Sequence, residues 1–504
     1  MPIDIDRAAP RPIHRQIYEW LRTAILGGDL ASGIRLPPTR QLAAQLGVAR
    51  STVTAAYEQL IADGYLDARV GAWTSVARSL PADVTVAARP DRTYGASASP
   101  VLNRAARWVE EWARTVDEPM RVEFRHRLNR ALTPAVDAFP VDEWRRLVVD
   151  YWRTANRASL IDFSPAGDLD LRREIMHFVR TTRGIECGIG QIIITNGMEQ
   201  AIDNLARILL EPGDRVAIED PTPTRFRNLF RSHGAKVVPV PVDADGLRVD
   251  VLTSLRGPAP ALVYLTPTHQ VPTGAVLSLR RRLDLLRWAA EQRTLLIEDD
   301  YDSELTYEGG VIEALQALDK AGVVAYVGTF TKVLNPAIQI GYLIVPAPLV
   351  HAVAAIQRMT ARPTEVSHQA VLARFIAEGG MARHLRRLRR VHLIRRDAML
   401  DALQREFGDD VDVGPARSGL QLHVRWRNVR FTDEVITSVL ESGVGVLPVR
   451  PMYMVAPHRD PGLVLAYASC TPNEIYKGVR ALAEVLDRCT GADRSRPVAS
   501  VASG

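Results

Sequence analysis

Cysteine is nearly absent from this 504-residue chain: Cys187, Cys470 and Cys489 are the only three. They are too few and too scattered for a disulfide framework or a zinc site, and they read as buried thiols. Lysine is scarcer still for its class, since of 63 basic residues only Lys236, Lys320, Lys332 and Lys477 are lysines. A lysine inside a motif therefore stands out. No run of eighteen apolar residues occurs, so no membrane-spanning helix is expected. The segment Met1-Pro2-Ile3-Asp4-Ile5-Asp6 lacks the basic flank and apolar stretch of a secretory signal. The expectation is a cytoplasmic protein with no membrane partner. With 47% hydrophobic and 24% charged residues, the composition excludes disordered, collagenous and coiled-coil classes. A net charge of +5 is modest for this length and only permits an anionic partner.

What is present divides into three stretches: residues 11–78, a linker over 79–120, and a larger domain over 121–490. In the first, Ile13, Ile17, Leu21 and Ile25 recur at helical spacing up to Gly27-Gly28. A short helix is expected from Thr39, a candidate N-cap, to Leu46, stopped by Gly47. A third runs from Ser51 to Ala62, with Val53, Tyr57, Leu60 and Ile61 inward. Two short helices joined by a glycine-containing turn make a helix-turn-helix pattern. Tyr65 to Val76, broken at Gly71, has the composition of a two-stranded wing. Residues 78 to about 120 gather Pro81, Pro90, Gly95 and Pro100 without a sustained period, as a linker does, with one helix expected around Val101 to Thr115.

Beyond the linker, the β-branched runs Gln191–Thr195, Arg215–Ile218, Lys236–Val242, Ala261–Thr266, Thr294–Ile297 and Val323–Val327 alternate with helical segments. That alternation predicts an α/β fold with a mainly parallel sheet, and a smaller α+β portion is expected from near residue 370. In such sheets ligands bind beyond the carboxyl ends of strands, which is where Glu298-Asp299-Asp300-Tyr301-Asp302 and Gly328-Thr329-Phe330-Thr331-Lys332 fall. A carboxylate for a pyridinium nitrogen, a phenol for a phenolate oxygen and an amine for a Schiff base are what pyridoxal 5′-phosphate requires.

The stretch GIRLPPTRQLAAQLGVARSTVTAAYEQLIADGYL resembles the winged helix-turn-helix of GntR-type bacterial regulators. Five further stretches, IITNGMEQAID, LEPGDRVAIEDP, LTPTHQVPTG, IEDDYDSEL and VGTFTKVLNPAIQIGY, resemble fold-type I aminotransferases, and the combination resembles the MocR subfamily of GntR regulators. The resemblance implies an N-terminal winged helix-turn-helix, a C-terminal aminotransferase-like domain, a homodimer, and operator DNA and a small-molecule effector as partners. It implies DNA contacts from Arg40 and Arg50, and Arg35 flanks the same end of the third helix as a further DNA-facing arginine. Ser51 and Thr52 lie where a helix N-terminus meets phosphate, and Thr54 stands where many relatives have a further arginine. In the second domain it implies Lys332 as the Schiff-base lysine, Asp299 facing the pyridine nitrogen and Tyr301 bonding the ring hydroxyl. Asn196, Gly197 and Met198 would form a phosphate loop, with Thr329 and Thr331 beside it; Arg225 near the site would hold a carboxylate or phosphate, or else sit in a structural salt bridge.

The chain departs from that pattern in several places. Gln339 replaces the arginine that clamps the phosphate, Glu199 replaces a glutamine in the phosphate loop, Pro223 replaces the aromatic residue that stacks on the ring, and Val271 replaces another aromatic residue. No arginine stands in Gly462–Tyr467 to clamp a substrate carboxylate, so no residue is assigned to turnover. The resulting expectation is a regulator that senses pyridoxal phosphate or its amino-acid adduct, in vitamin B6 or amino-acid metabolism. A working aminotransferase and a regulator tuned to another metabolite remain the alternatives. The arginines at 383, 386, 387, 389, 390, 395 and 396 read as a solvated or partner-paired helix face, or as a phosphate track for DNA.

Overall fold

The computed structural model describes residues 3, 5–7, 11–68, 73–77, 128, 133–155, 164–310, 312–360, 365–457 and 461–490. The linker expected at 79–120, its helix, and Gly71 lie outside them. The chain divides into two units, Met1–Val101 and Leu102–Gly504.

In the first unit α1 (Ile13–Leu26), α2 (Thr39–Leu46) and α3 (Arg50–Ala62) precede β1 (Leu66–Ala68) and β2 (Thr74–Val76). Ile17, Leu21 and Ile25 of α1 are buried, as their spacing requires, and share a core with Leu42, Val53, Ala56, Tyr57 and Leu60. Ile61, expected inward, packs only at the edge of that core, and Ala56 takes the fully buried position. Thr39 is not the N-cap: Pro38 holds that place and Thr39 is already helical, because the Leu42 amide bonds the Pro38 carbonyl. Gly47 closes α2 with a left-handed φ of 61°, a conformation that costs glycine little. β1 and β2 pair antiparallel as the wing, with Leu66 opposite Val76.

In the second unit, eight strands form one sheet. They are β3 (Ile192–Asn196), β4 (Arg215–Asp220), β5 (Lys236–Asp243), β6 (Gly246–Leu247), β7 (Leu262–Leu265), β8 (Leu295–Asp300), β9 (Val324–Thr329) and β10 (Ile340–Ile344), in the order β3-β10-β9-β8-β7-β4-β5-β6. β5, β4, β7, β8 and β9 run parallel, whereas β10 is antiparallel to both β3 and β9. β7, β9 and β10 are buried along their whole length, which is why their sequences are continuous apolar runs. Around this sheet stand α4 (Val141–Thr154), α5 (Leu169–Arg183), α6 (Gly197–Leu209), α7 (Thr224–Ser232) and α8 (Leu279–Gln292). The C-terminal part holds α9 (Gly380–Phe407), a four-stranded antiparallel sheet and α10 (Pro472–Thr490).

Two sequence readings change here. Cys470 is buried, but Cys187 is only half-buried and Cys489 is exposed, since α10 turns that side outward. The arginine run on α9 is no open track: Arg395 pairs with Asp137, Arg396 with Glu308 and Arg383 with Glu143, while Arg387 and Arg389 bond the carbonyls of Ala138 and Glu304. Five of those seven arginines thus tie α9 to other segments of this chain.

Candidate functional site

The strand β8 extends to Asp300, further than its apolar residues indicated, so its acids alternate between the two faces of the sheet. On one face Glu298 accepts the amides of Leu315 and Gln316, both at 2.8 Å. On the same face Asp300 meets the Arg183 guanidinium at 2.7 Å and accepts from the Tyr326 hydroxyl at 2.7 Å. Asp299 points the other way. Its Oδ2 accepts from the Tyr264 hydroxyl at 2.5 Å, and its Oδ1 is buried without a hydrogen-bond partner. Burial pushes the Asp299 carboxyl up to about 7, against the bond from Tyr264 and the charge of Arg225.

Lys332 follows β9, and its amine is pushed down to about 8, first by burial and then by the positive charge of Arg225, while Glu199, Asp299 and Asp302 act in the opposite sense. Arg225, Glu199, Asp299 and Asp302 thus all stand near enough to Lys332 to act on its charge. Tyr301 is buried too, with its oxygen 3.0 Å from Nδ1 of His269. The same nitrogen lies 2.8 Å from Oδ2 of Asp302. Burial opposes the imidazolium, but the Asp302 carboxylate holds His269 above its ordinary value. Tyr301 thus meets a histidine that sequence reasoning left without a role, although His269 stands inside one of the five motifs.

At Asn196, β3 turns directly into α6. Gly197 takes a φ of 75°, and the Thr195 hydroxyl bonds its carbonyl at 2.8 Å. Gly341 of β10 packs so closely that a Cβ there would stand 2.8 Å from the Gly197 carbonyl carbon, so the loop is held from behind. The side chain of Met198 goes into the core, which leaves only its backbone to face a ligand, and the Asn196 amide is bonded to Gln200 at 2.6 Å. The Thr329 and Thr331 hydroxyls lie 3.0 Å apart. Glu199 in the first turn of α6 meets Arg225 at 3.5 Å, and Gln339 is exposed with a φ of 48°.

In the first unit Arg50 opens α3, followed by exposed Ser51 and half-buried Thr52 and Thr54. Its Nε donates to the Thr39 hydroxyl at 3.3 Å, which joins the starts of α2 and α3 beside exposed Arg40. Arg35 stacks 3.4 Å over the ring of Trp73 at the wing, a residue the sequence reading did not single out.

Residues 13–76 match the profile of bacterial regulatory proteins of the gntR family, and residues 133–482 match that of aminotransferase class I and II. The probable rhizopine catabolism regulatory protein MocR of Rhizobium meliloti is 35% identical over 97% of this chain and 99% of its own length. The chain belongs to the MocR subfamily of GntR regulators. It is a helix-turn-helix transcription regulator with an aminotransferase-like domain. Another relative, the HTH-type pyridoxine biosynthesis transcriptional regulator PdxR of Corynebacterium glutamicum, is 31% identical over 93% of this chain and 95% of its own. Among solved structures, the kynurenine aminotransferase of Pyrococcus horikoshii superposes with a TM-score of 0.69 at 26% identity, covering 76% of this chain and 95% of that one. No helix among the described residues of this MocR-type chain is long and apolar enough to cross a membrane.

Proposed function

We propose that this regulator binds operator DNA as a two-fold dimer and that pyridoxal 5′-phosphate, or its amino-acid adduct, is the effector of its second domain. The observation that carries this reading is the buried, unpartnered Oδ1 of Asp299 near the depressed amine of Lys332. A buried polar atom without a partner costs about 1–3 kcal/mol, which a pyridine nitrogen–hydrogen would relieve. Lys332 would hold such a cofactor through its amine, and the chemistry the group would supply there is an aldehyde that the uncharged amine can capture reversibly. Tyr301, kept protonated by burial, stands ready to donate to the ring oxygen. Asn196, Gly197 and Met198 offer backbone at the start of α6, Thr329 and Thr331 offer hydroxyls, and Arg225 offers the charge for an anionic arm.

On the DNA side, Arg35, Arg40 and Arg50 provide the bidentate donors, and Ser51, Thr52 and Thr54 surround the N-terminal turn of α3. Two such heads in one dimer gain affinity by effective concentration. The PdxR relative makes vitamin B6 genes the first targets to examine, with amino-acid metabolism next, in a cytoplasmic setting. The test is an absorbance titration of the purified chain with pyridoxal phosphate. A visible band that is absent from Lys332→Ala, without turnover of an amino acid and a keto acid, is expected. A band that persists in Lys332→Ala overturns the assignment.

A further inference from the structure

The pocket around Lys332 carries a carboxylate where its anion-binding loop begins. We propose that Glu199 is a built-in competitor for the anionic arm of the ligand, occupying Arg225 so that a phosphorylated aldehyde binds as an exchangeable signal and not as a resident cofactor. This rests on the reading of Lys332 as the aldehyde-capturing amine, and it names the residue that sets the site's affinity for phosphate.

Three contacts carry it. First, Glu199 Oε1 lies 3.5 Å from Arg225 Nε, close enough for an ion pair but too distant for a good hydrogen bond. That Nε is buried and has no hydrogen-bond partner, so it is a donor held beside an anion without being satisfied by it. Second, the other carboxylate oxygen, Oε2, leans back over the loop and stands 3.3 Å from where a Cβ on Gly197 would be. Glu199 therefore stands against Gly197 at the start of α6, where an incoming phosphate would be received on this reading. Third, the Arg225 guanidinium rests 4.6 Å over the Phe226 ring, which limits its freedom to turn toward another anion.

The charge balance points the same way. The strongest charges acting on Lys332 come from one cation, Arg225, and three acids, Glu199, Asp299 and Asp302, of which Asp302 is paired with His269. A phosphate then meets Arg225 already engaged, and it must displace Glu199 to reach that guanidinium. An aldehyde without that arm meets no such competition. A sensor needs a ligand that leaves again, and weakening one contact while keeping covalent capture achieves that.

The experiment titrates the full-length chain with pyridoxal 5′-phosphate and, separately, with pyridoxal, reading the Lys332-dependent visible band. Glu199→Gln keeps the shape and removes the charge. It is expected to tighten pyridoxal phosphate about tenfold while changing pyridoxal by less than about threefold, a difference of order one charged contact. In the Arg225→Gln background the gain from Glu199→Gln should vanish, since the competitor then has nothing to withhold. Equal tightening of both aldehydes, no change for pyridoxal phosphate, or a gain that survives Arg225→Gln overturns the proposal. If neither aldehyde gives a Lys332-dependent band in any of the proteins, the reading of the site itself falls, and this proposal with it.

Discussion

The depressed amine of Lys332 makes a quantitative prediction about pH. An ordinary lysine titrates near 10.5, and this one is pushed down to about 8, so at neutral pH roughly 300 times more of it is in the nucleophilic, uncharged form. The rate of condensation with pyridoxal phosphate should rise with pH through about 8 and flatten above it, because only the uncharged amine attacks. Arg225 depresses the amine and Glu199 raises it, so the two substitutions should move the midpoint in opposite directions. Arg225→Gln should shift it upward and Glu199→Gln downward. Stopped-flow absorbance between pH 6.5 and 9.5, with the same ligand for all three proteins, reads the differences free of the ligand's own titration. A wild-type midpoint at the free-lysine position, or shifts of the same sign in both variants, would refute the electrostatic account of the pocket.

Other consequences are open to measurement. Arg183→Ala leaves Asp300 buried without its cation and should cost about 3–5 kcal/mol in urea unfolding, and a loss under 1 kcal/mol would contradict the pairing. Tyr264→Phe removes the bond that holds the Asp299 carboxyl down, so the midpoint of its infrared carboxyl band should move above about 7, and a downward move would show another group in control. Arg40→Ala should weaken operator binding and flatten the dependence of log affinity on log salt by about 0.9 for a lost phosphate contact. Unchanged affinity and slope would remove Arg40 from the interface.

Much of this was legible in the sequence for physical reasons. The central parallel strands announced themselves because burial on both faces demands unbroken apolar, β-branched runs, and the three helices of the first unit because one face each must be apolar. β10 is equally apolar, yet its antiparallel direction is set by its neighbours β3 and β9 and leaves no mark on Ile340–Ile344. Asp299 and Asp300 are adjacent and chemically alike, so only the period of two and the distant Arg183 decide which of them is free to face a ligand. His269 escaped notice because its partners Tyr301 and Asp302 come from another strand end, and a histidine in a loop carries no period. The cap of α2 was misread since Thr39 is a good capping residue by type, while the bond actually made comes from the carbonyl of Pro38.

Lys332 in one unit should govern DNA affinity in the other, and one titration addresses that link. Fluorescence anisotropy of a labelled duplex from the regulator's own upstream region, at low salt, with and without pyridoxal phosphate, should show an affinity change in the wild type that Lys332→Ala abolishes while retaining basal binding. An identical response in Lys332→Ala, or no binding of that duplex under any of these conditions, would contradict it.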